Sequence, residues 1–231
     1  MTRLTNEQLF QALWNRREKL ADLRSDLVRL YGWPVTDIRL TALTKIENVV
    51  GSTALGLESL TEFLCQPRQC LDGKLYPPIS KDVEFEFNNY LRLSFVQFIF
   101  SAVESSMRLI LRAINPEACG KGTSSFKSIY ECLIRAELNL DESQDWINLL
   151  DLFRIIRNSL HNNGVYFHAT ANNANVLYRG RVYEFSHGKC LDFVYWDLKL
   201  SLLDDMLSLI ETILQHPKIQ NLSYIKDPFA S

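Results

Sequence analysis

The sequence predicts a mainly α-helical fold with a small antiparallel β-meander inserted before the last helix, and three observations carry that prediction. Nine glycines and seven prolines among 231 residues leave few forced breaks, which favours long helices over many strands. Leucine and isoleucine recur at helical spacing over long stretches. Alternation of aromatic with polar residues around glycine turns is confined to about 175–195. With 47% hydrophobic and 23% charged residues the chain falls in the ordinary globular class and can bury one sizeable core, so a single domain over 1–231 is expected.

Thr5-Asn6-Glu7 caps a first helix through Leu9, Leu13, Leu20, Leu23, Leu27 and Leu30, and Tyr31-Gly32-Trp33-Pro34 ends it. A second helix spans about Thr36 to Leu64, carrying Ile38, Leu43, Ile46, Val50, Leu57 and Leu60, with Gly51 and Gly56 as weak points and Pro67 closing it. Residues 66–82 hold three prolines and a glycine without helical periodicity and read as a loop. The third helix, about Val83 to Ile114, is apolar over most of its circumference, which predicts a central position. Thr123 or Ser124 caps a short helix through Phe126, Ile129, Tyr130, Leu133 and Ile134. The next runs from about Gln144 to His161 and stops at Asn162-Asn163-Gly164, a sequence suited to the left-handed turn that ends helices. Segments 176–178, 182–185 and 191–195 then predict a three-stranded meander. A last helix covers about Asp197 to Gln215, ended by His216-Pro217.

A net charge of -2 gives no global electrostatic footprint for nucleic acid or an anionic membrane, so any RNA contact has to be local. Cys65, Cys70, Cys119, Cys132 and Cys190 are scattered and include no C-x-x-C pair, which predicts free thiols and no metal site. The first residues lack an apolar signal segment, and Gln97, Glu104, Arg108 and Arg112 interrupt the apolar run from Leu91 to Ile114. A cytoplasmic chain with no membrane partner is the expectation.

The candidate site lies at the end of the penultimate helix. On a wheel of ~100° per residue, Trp146, Leu149, Leu150, Phe153, Ile156 and Leu160 form the buried stripe. Arg157 projects within it, and Arg154 and His161 lie at its edge. An imidazole moves protons near neutral pH and a fixed guanidinium stabilises charge growing on a phosphorane, so together they suffice for metal-free cleavage of RNA by its own 2'-hydroxyl. Asn158 is placed to orient the histidine or bind a phosphate oxygen. The same residues also read structurally, since a histidine in a last turn is favoured by the helix dipole and Arg157 can pair with a buried carboxylate. Glu104 is the carboxylate expected for Arg157, or else it pairs with Arg108 four residues on. His168, His187 and His216 lack metal-ligand spacing and read as surface or turn histidines. Tyr178, Tyr183, Phe185, Phe193 and Tyr195 read as half-buried strand aromatics, with base stacking as the alternative.

Arg157-Asn158-Ser159-Leu160-His161-Asn162-Asn163-Gly164, together with Glu104-Ser105-Ser106-Met107-Arg108 on the third helix, resembles the HEPN superfamily, whose signature is an arginine, four to six residues, then a histidine at the end of a bundle helix. The resemblance covers the C-terminal two-thirds and does not clearly cover 1–80. It implies an up-and-down helical bundle that pairs as a homodimer, and a metal-independent endoribonuclease of a toxin or antiviral defence system, with an antitoxin or other protein partner. His161 would be the catalytic histidine, Arg157 the transition-state arginine and Asn158 the polar residue after it, with Glu104 and Asn162 in support and no cofactor. Three residues separate Arg157 from His161, one short of the signature, whereas six separate Arg154 from it and meet the signature, so the resemblance leaves open which arginine acts. Inactive relatives imply the competing reading, a non-catalytic dimerisation module that binds a nucleotide, RNA or a protein.

Overall fold

The computed structural model describes residues 4–60, 68–69, 75–118 and 125–228. The chain is mainly helical, with a two-stranded antiparallel hairpin ahead of the last long helix: α1 (Asn6–Tyr31), α2 (Ile38–Ser59), β1 (Arg68–Gln69), β2 (Leu75–Tyr76), α3 (Lys81–Ile114), α4 (Phe126–Glu131), α5 (Ser143–His161), β3 (Ala174–Tyr178), β4 (Arg181–Phe185), α6 (Trp196–Gln215) and α7 (Pro217–Gln220). Where the sequence leads to one domain, the contacts divide into two compact units, 1–26 with 43–99 and 27–42 with 100–231.

In the first unit, α1 opens with a capping box. Gln8 N–H donates to Thr5 Oγ1 at 3.2 Å while Thr5 N–H donates to Gln8 Oε1 at 2.9 Å. Leu9, Leu13 and Leu20 of α1 and Leu43, Ile46, Val50, Ala54 and Leu57 of α2 are buried. Glu47, whose side chain is 9% exposed, takes Arg24 at 3.3 Å and Arg17 at 3.6 Å. The two glycines of α2 are points of close approach as well as weak points of the helix. A Cβ at Gly56 would stand 2.8 Å from Leu91 Cδ2, and one at Gly51 3.1 Å from Arg17 Cδ. α2 reaches Ser59 and passes into a π-helical residue at Leu60, and the expected end at Leu64 and Pro67 lies outside the described residues. β1 and β2 pair where the sequence predicts only loop, because two-residue strands are too short to show alternation.

α3 is 34 residues long and, among the described residues, is the one helix long and apolar enough to cross a membrane; half of its most apolar window is buried. It is therefore less central than its composition predicts, and Tyr90, Leu93 and Phe98 are exposed along it.

The second unit joins residues 27–42 to the C-terminal part of the chain. Asp37 and Arg39 are 0% and 1% exposed and form a two-point ion pair, Arg39 Nη2 to Asp37 Oδ2 at 2.6 Å and Nε to Oδ1 at 2.8 Å. The remaining donors of Arg39 reach the carbonyls of Ile219, Leu222 and Ser223, and its guanidinium stacks 4.2 Å from the Trp33 ring. Thr41 donates to buried Asp227 at 2.7 Å, which fastens the segment further.

α4 is capped by Ser125, whose Oγ accepts Ser128 N–H at 3.2 Å; Thr123 and Ser124 lie outside the described residues, as do Cys65, Cys70 and Cys119. Neither Cys132 nor Cys190 is joined in a disulfide. A π-helical stretch, Cys132–Glu137, follows α4. α5 is buried over more than one stripe, because Ile147, Leu152 and Ile155 are buried as well as Leu149, Leu150, Phe153 and Ile156, whereas Trp146 and Leu160 are only half-buried. It packs on α4, the π-helical stretch, α6 and β3. β3 and β4 turn at Arg179-Gly180, both with positive φ (47° and 72°), the two-residue turn that matches strand twist. The third strand is absent. Cys190 bridges Val165 instead, and Leu191 N–H donates to Gly164 O at 2.9 Å, so the chain leaving α5 takes the pairing that β4 would have offered. Tyr178, Tyr183 and Phe185 are buried, as the packing reading expects, while Tyr195 is exposed.

Candidate functional site at the end of α5

α5 stops through backbone chemistry. Asn163 takes the left-handed conformation (φ 54°), which asparagine tolerates better than most residues, and Gly164 N–H reaches back to Ser159 O at 2.9 Å. His161, Asn162 and Asn158 are exposed on this last turn, and Asn162 Nδ2 donates to Asn158 O at 3.1 Å.

The expected ridge of Arg154, Arg157 and His161 divides into unlike parts. Arg154 Nη2 is 2.7 Å from Asp151 Oδ1, and the same oxygen accepts the Tyr130 hydroxyl at 2.6 Å. Lys127 Nζ stands 3.7 Å from the other carboxylate oxygen. Burial works against the Arg154 charge, but hydrogen bonds to Asp151 and Tyr130 more than restore it and raise its pKa. Burial, then the Asp151 carboxylate, pushes the Tyr130 phenol well above the ordinary tyrosine range. Arg154 is thus a member of a part-buried network in which its hydrogen bonds are taken by Asp151 and Tyr130.

Arg157 is held otherwise. Its guanidinium carbon lies 5.1 Å over the Phe100 ring, Nη1 donates to Asn158 Oδ1 at 3.1 Å, and Nε is buried without a hydrogen-bond partner. No carboxylate among the described residues engages it. Phe100 belongs to an aromatic cluster, edge-on to Phe126 at 5.0 Å and to Phe153 at 5.7 Å, so the floor under Arg157 is rigid. The expected Arg157–Glu104 pair is not formed; Glu104 takes Arg108 at 2.6 Å, four residues along α3. No hydrogen bond from any described residue orients the His161 ring.

Sequence reasoning missed Asp151 and Tyr130, although an aspartate three residues before Arg154 was a signal for an intrahelical pair. Phe100 carried no such signal, since it sits on another helix. A cleft of about 310 Å³ lined by Trp146, Tyr178, Arg179 and Asp205 opens at the opposite end of α5 and contains none of the candidate residues. Among the described residues no cluster of histidine, cysteine or carboxylate has the makings of a metal site. No family model, curated protein or solved structure matches the chain.

Proposed function

We propose that the chain is a metal-independent endoribonuclease whose chemistry is carried by His161 and Arg157. The observation that favours this reading is the state of Arg157: a guanidinium that no carboxylate among the described residues engages, lying over Phe100, one turn ahead of an exposed histidine. Charge of that kind is costly to hold without a partner, and a phosphate is the partner it suits. In the proposed reaction an imidazole takes the proton of an RNA 2'-hydroxyl, whose oxygen attacks the adjacent phosphorus. The bond to the 5'-oxygen breaks, and that oxygen leaves with a proton from an imidazolium. Arg157 stabilises the negative charge on the phosphorane, and Asn158, hydrogen-bonded to Arg157, holds the guanidinium edge. A homodimer bringing two His161 side chains to one phosphate would supply the base and the acid together, within a toxin or defence setting.

The second reading is a non-catalytic module that binds RNA, a nucleotide or a protein. The unoriented His161 ring favours it, because catalytic imidazoles are commonly held by a second group. Incubation of purified protein with total RNA in EDTA, beside a folded His161→Ala variant, separates the two. Cleavage by the wild type alone, leaving 2',3'-cyclic ends, supports the nuclease. RNA left intact by both proteins would move the assignment to the binding module.

A further inference from the structure

The chain that leaves α5 folds back on the segment after β4. Besides the Val165–Cys190 bridge and the Leu191–Gly164 hydrogen bond, Tyr166 N–H donates to Lys189 O at 3.0 Å and Gly188 N–H donates to Tyr166 O at 2.8 Å. The next bond in this series is made by a side chain. His168 N–H donates to Nδ1 of His187 at 3.1 Å, across 19 residues. The His187 backbone N–H in turn donates to Asn173 Oδ1 at 2.9 Å, and its ring stands edge-on to Phe167 at 5.5 Å. His168 repeats the device, its Nδ1 accepting Thr170 N–H at 3.2 Å and lying 2.8 Å from Thr170 Oγ1.

An imidazole nitrogen accepts a hydrogen bond only while it keeps its lone pair. The imidazolium carries a proton on both nitrogens and has no acceptor, so no rotation of the ring restores the bond. We propose that His187, backed by His168, is a proton-sensitive clasp on the outer part of the loop 164–173: the neutral rings pin 168–170, and proton uptake frees that stretch while the backbone bonds at 164–166 remain. The surroundings do not offset the new charge. The Phe167 ring and the His168 backbone N–H face the His187 ring, the Asn173 amide oxygen takes the His187 backbone N–H, Lys189 follows two residues on in its own segment, and Arg154 acts electrostatically on neighbouring Tyr166. No carboxylate among the described residues contacts either ring. The freed stretch lies seven to nine residues after His161, beyond the backbone-held residues 164–166. The clasp holds whatever α5 does chemically.

The test follows the His168 and Thr170 backbone amides by nuclear magnetic resonance between roughly pH 7.5 and roughly pH 5.5, the range in which imidazoles titrate. Three proteins are compared: wild type, His187→Asn, whose amide oxygen accepts at every pH, and His187→Ala, which never accepts. In the wild type, protection of the His168 amide, corrected for intrinsic exchange, should fall roughly fivefold on acidification, the worth of one net hydrogen bond. In the asparagine variant it should hold, and in the alanine variant it should be low throughout. Wild-type protection that ignores pH, or the same loss in His187→Asn, overturns the proposal. The wild type against His187→Asn decides the matter even if His187→Ala fails to fold.

Discussion

Arg154 and Arg157 stand three residues apart on α5, yet substitution of each belongs to a different measurement. Arg154→Met strands a carboxylate that keeps only the Tyr130 hydroxyl and a distant lysine, so unfolding stability should fall by roughly 2–4 kcal/mol, seen as a lower denaturant midpoint at unchanged slope. Arg157→Met removes a guanidinium that no carboxylate answers, and should cost at most about 1 kcal/mol of stacking on Phe100. If the nuclease reading holds, Arg157→Met abolishes cleavage of RNA in a protein that melts nearly as the wild type does. Tyr130 adds a pH dependence. Burial and Asp151 raise its phenol, so the protonated form is favoured on folding. That contribution is whole below the ordinary tyrosine range of about 10 and is lost as pH rises through the higher folded value. Alkaline titration should therefore show the Tyr130 phenolate absorbance appearing only together with unfolding, and Tyr130→Phe should remove that part of the alkaline instability. The sequence named both arginines but had no means of ranking them, because the ranking depends on Tyr130, 24 residues from Arg154, and on Phe100 across α3.

At the scale of elements, the end of α5 was legible because its chemistry is local. Asparagine and glycine in succession announce a left-handed turn, and the turn falls on Asn163. Asn163→Ala should lower stability by about 1 kcal/mol, read by thermal denaturation, since alanine pays the full steric penalty of that conformation. The hairpin was legible for the same reason: Arg179-Gly180 both take positive φ, and Gly180→Ala should cost a similar amount. The third strand failed for a reason no window of sequence contains. Residues 189–191 have two suitors, the open edge of β4 and the chain at 164–166, and only the second meets them with its hydrogen bonds aligned. Aromatic alternation at 191–195 shows which side chains want burial, and Phe193 does pack on Tyr183 and Phe185 at 5.3 and 5.4 Å without any ladder. The hairpin is tied to α6 by Asp205, which accepts the Tyr178 hydroxyl at 2.7 Å and pairs with Arg179 at 2.6 Å, another long-range bond that periodicity could not foretell.

For the whole molecule, the mainly helical class followed from spacing and from the scarcity of breaks, whereas the division into two units did not. A helix such as α1 or α2 reads as one periodic stretch in sequence even when its residues serve different clusters along its length. The Asp37–Arg39 pair was equally silent. Two opposite charges flanking Ile38 look like a solvated turn, and nothing near them indicates that Ile219, about 180 residues away, supplies a carbonyl. Arg39→Met should be among the most damaging single changes in the chain, roughly 3–5 kcal/mol, because it leaves Asp37 buried without its cation and three carbonyls without a donor. Denaturant unfolding gives the loss, and limited proteolysis should find the segment 219–227 newly cut.

That clasp also sets an order of events during synthesis. Every residue of the first unit has left the ribosome once position 99 has cleared the exit tunnel, and the unit can begin to close while most of the chain is unmade. Arg39 has to wait for carbonyls near position 220, and Thr41 for Asp227, 186 residues further on. Until they emerge, a guanidinium built for a dry pocket stays in water, and the second unit lacks its last fastening. The part of the protein that carries α5 and its histidine is thereby the part completed last, so a chain cut short before that segment would hold the site residues in a fold that has not yet locked.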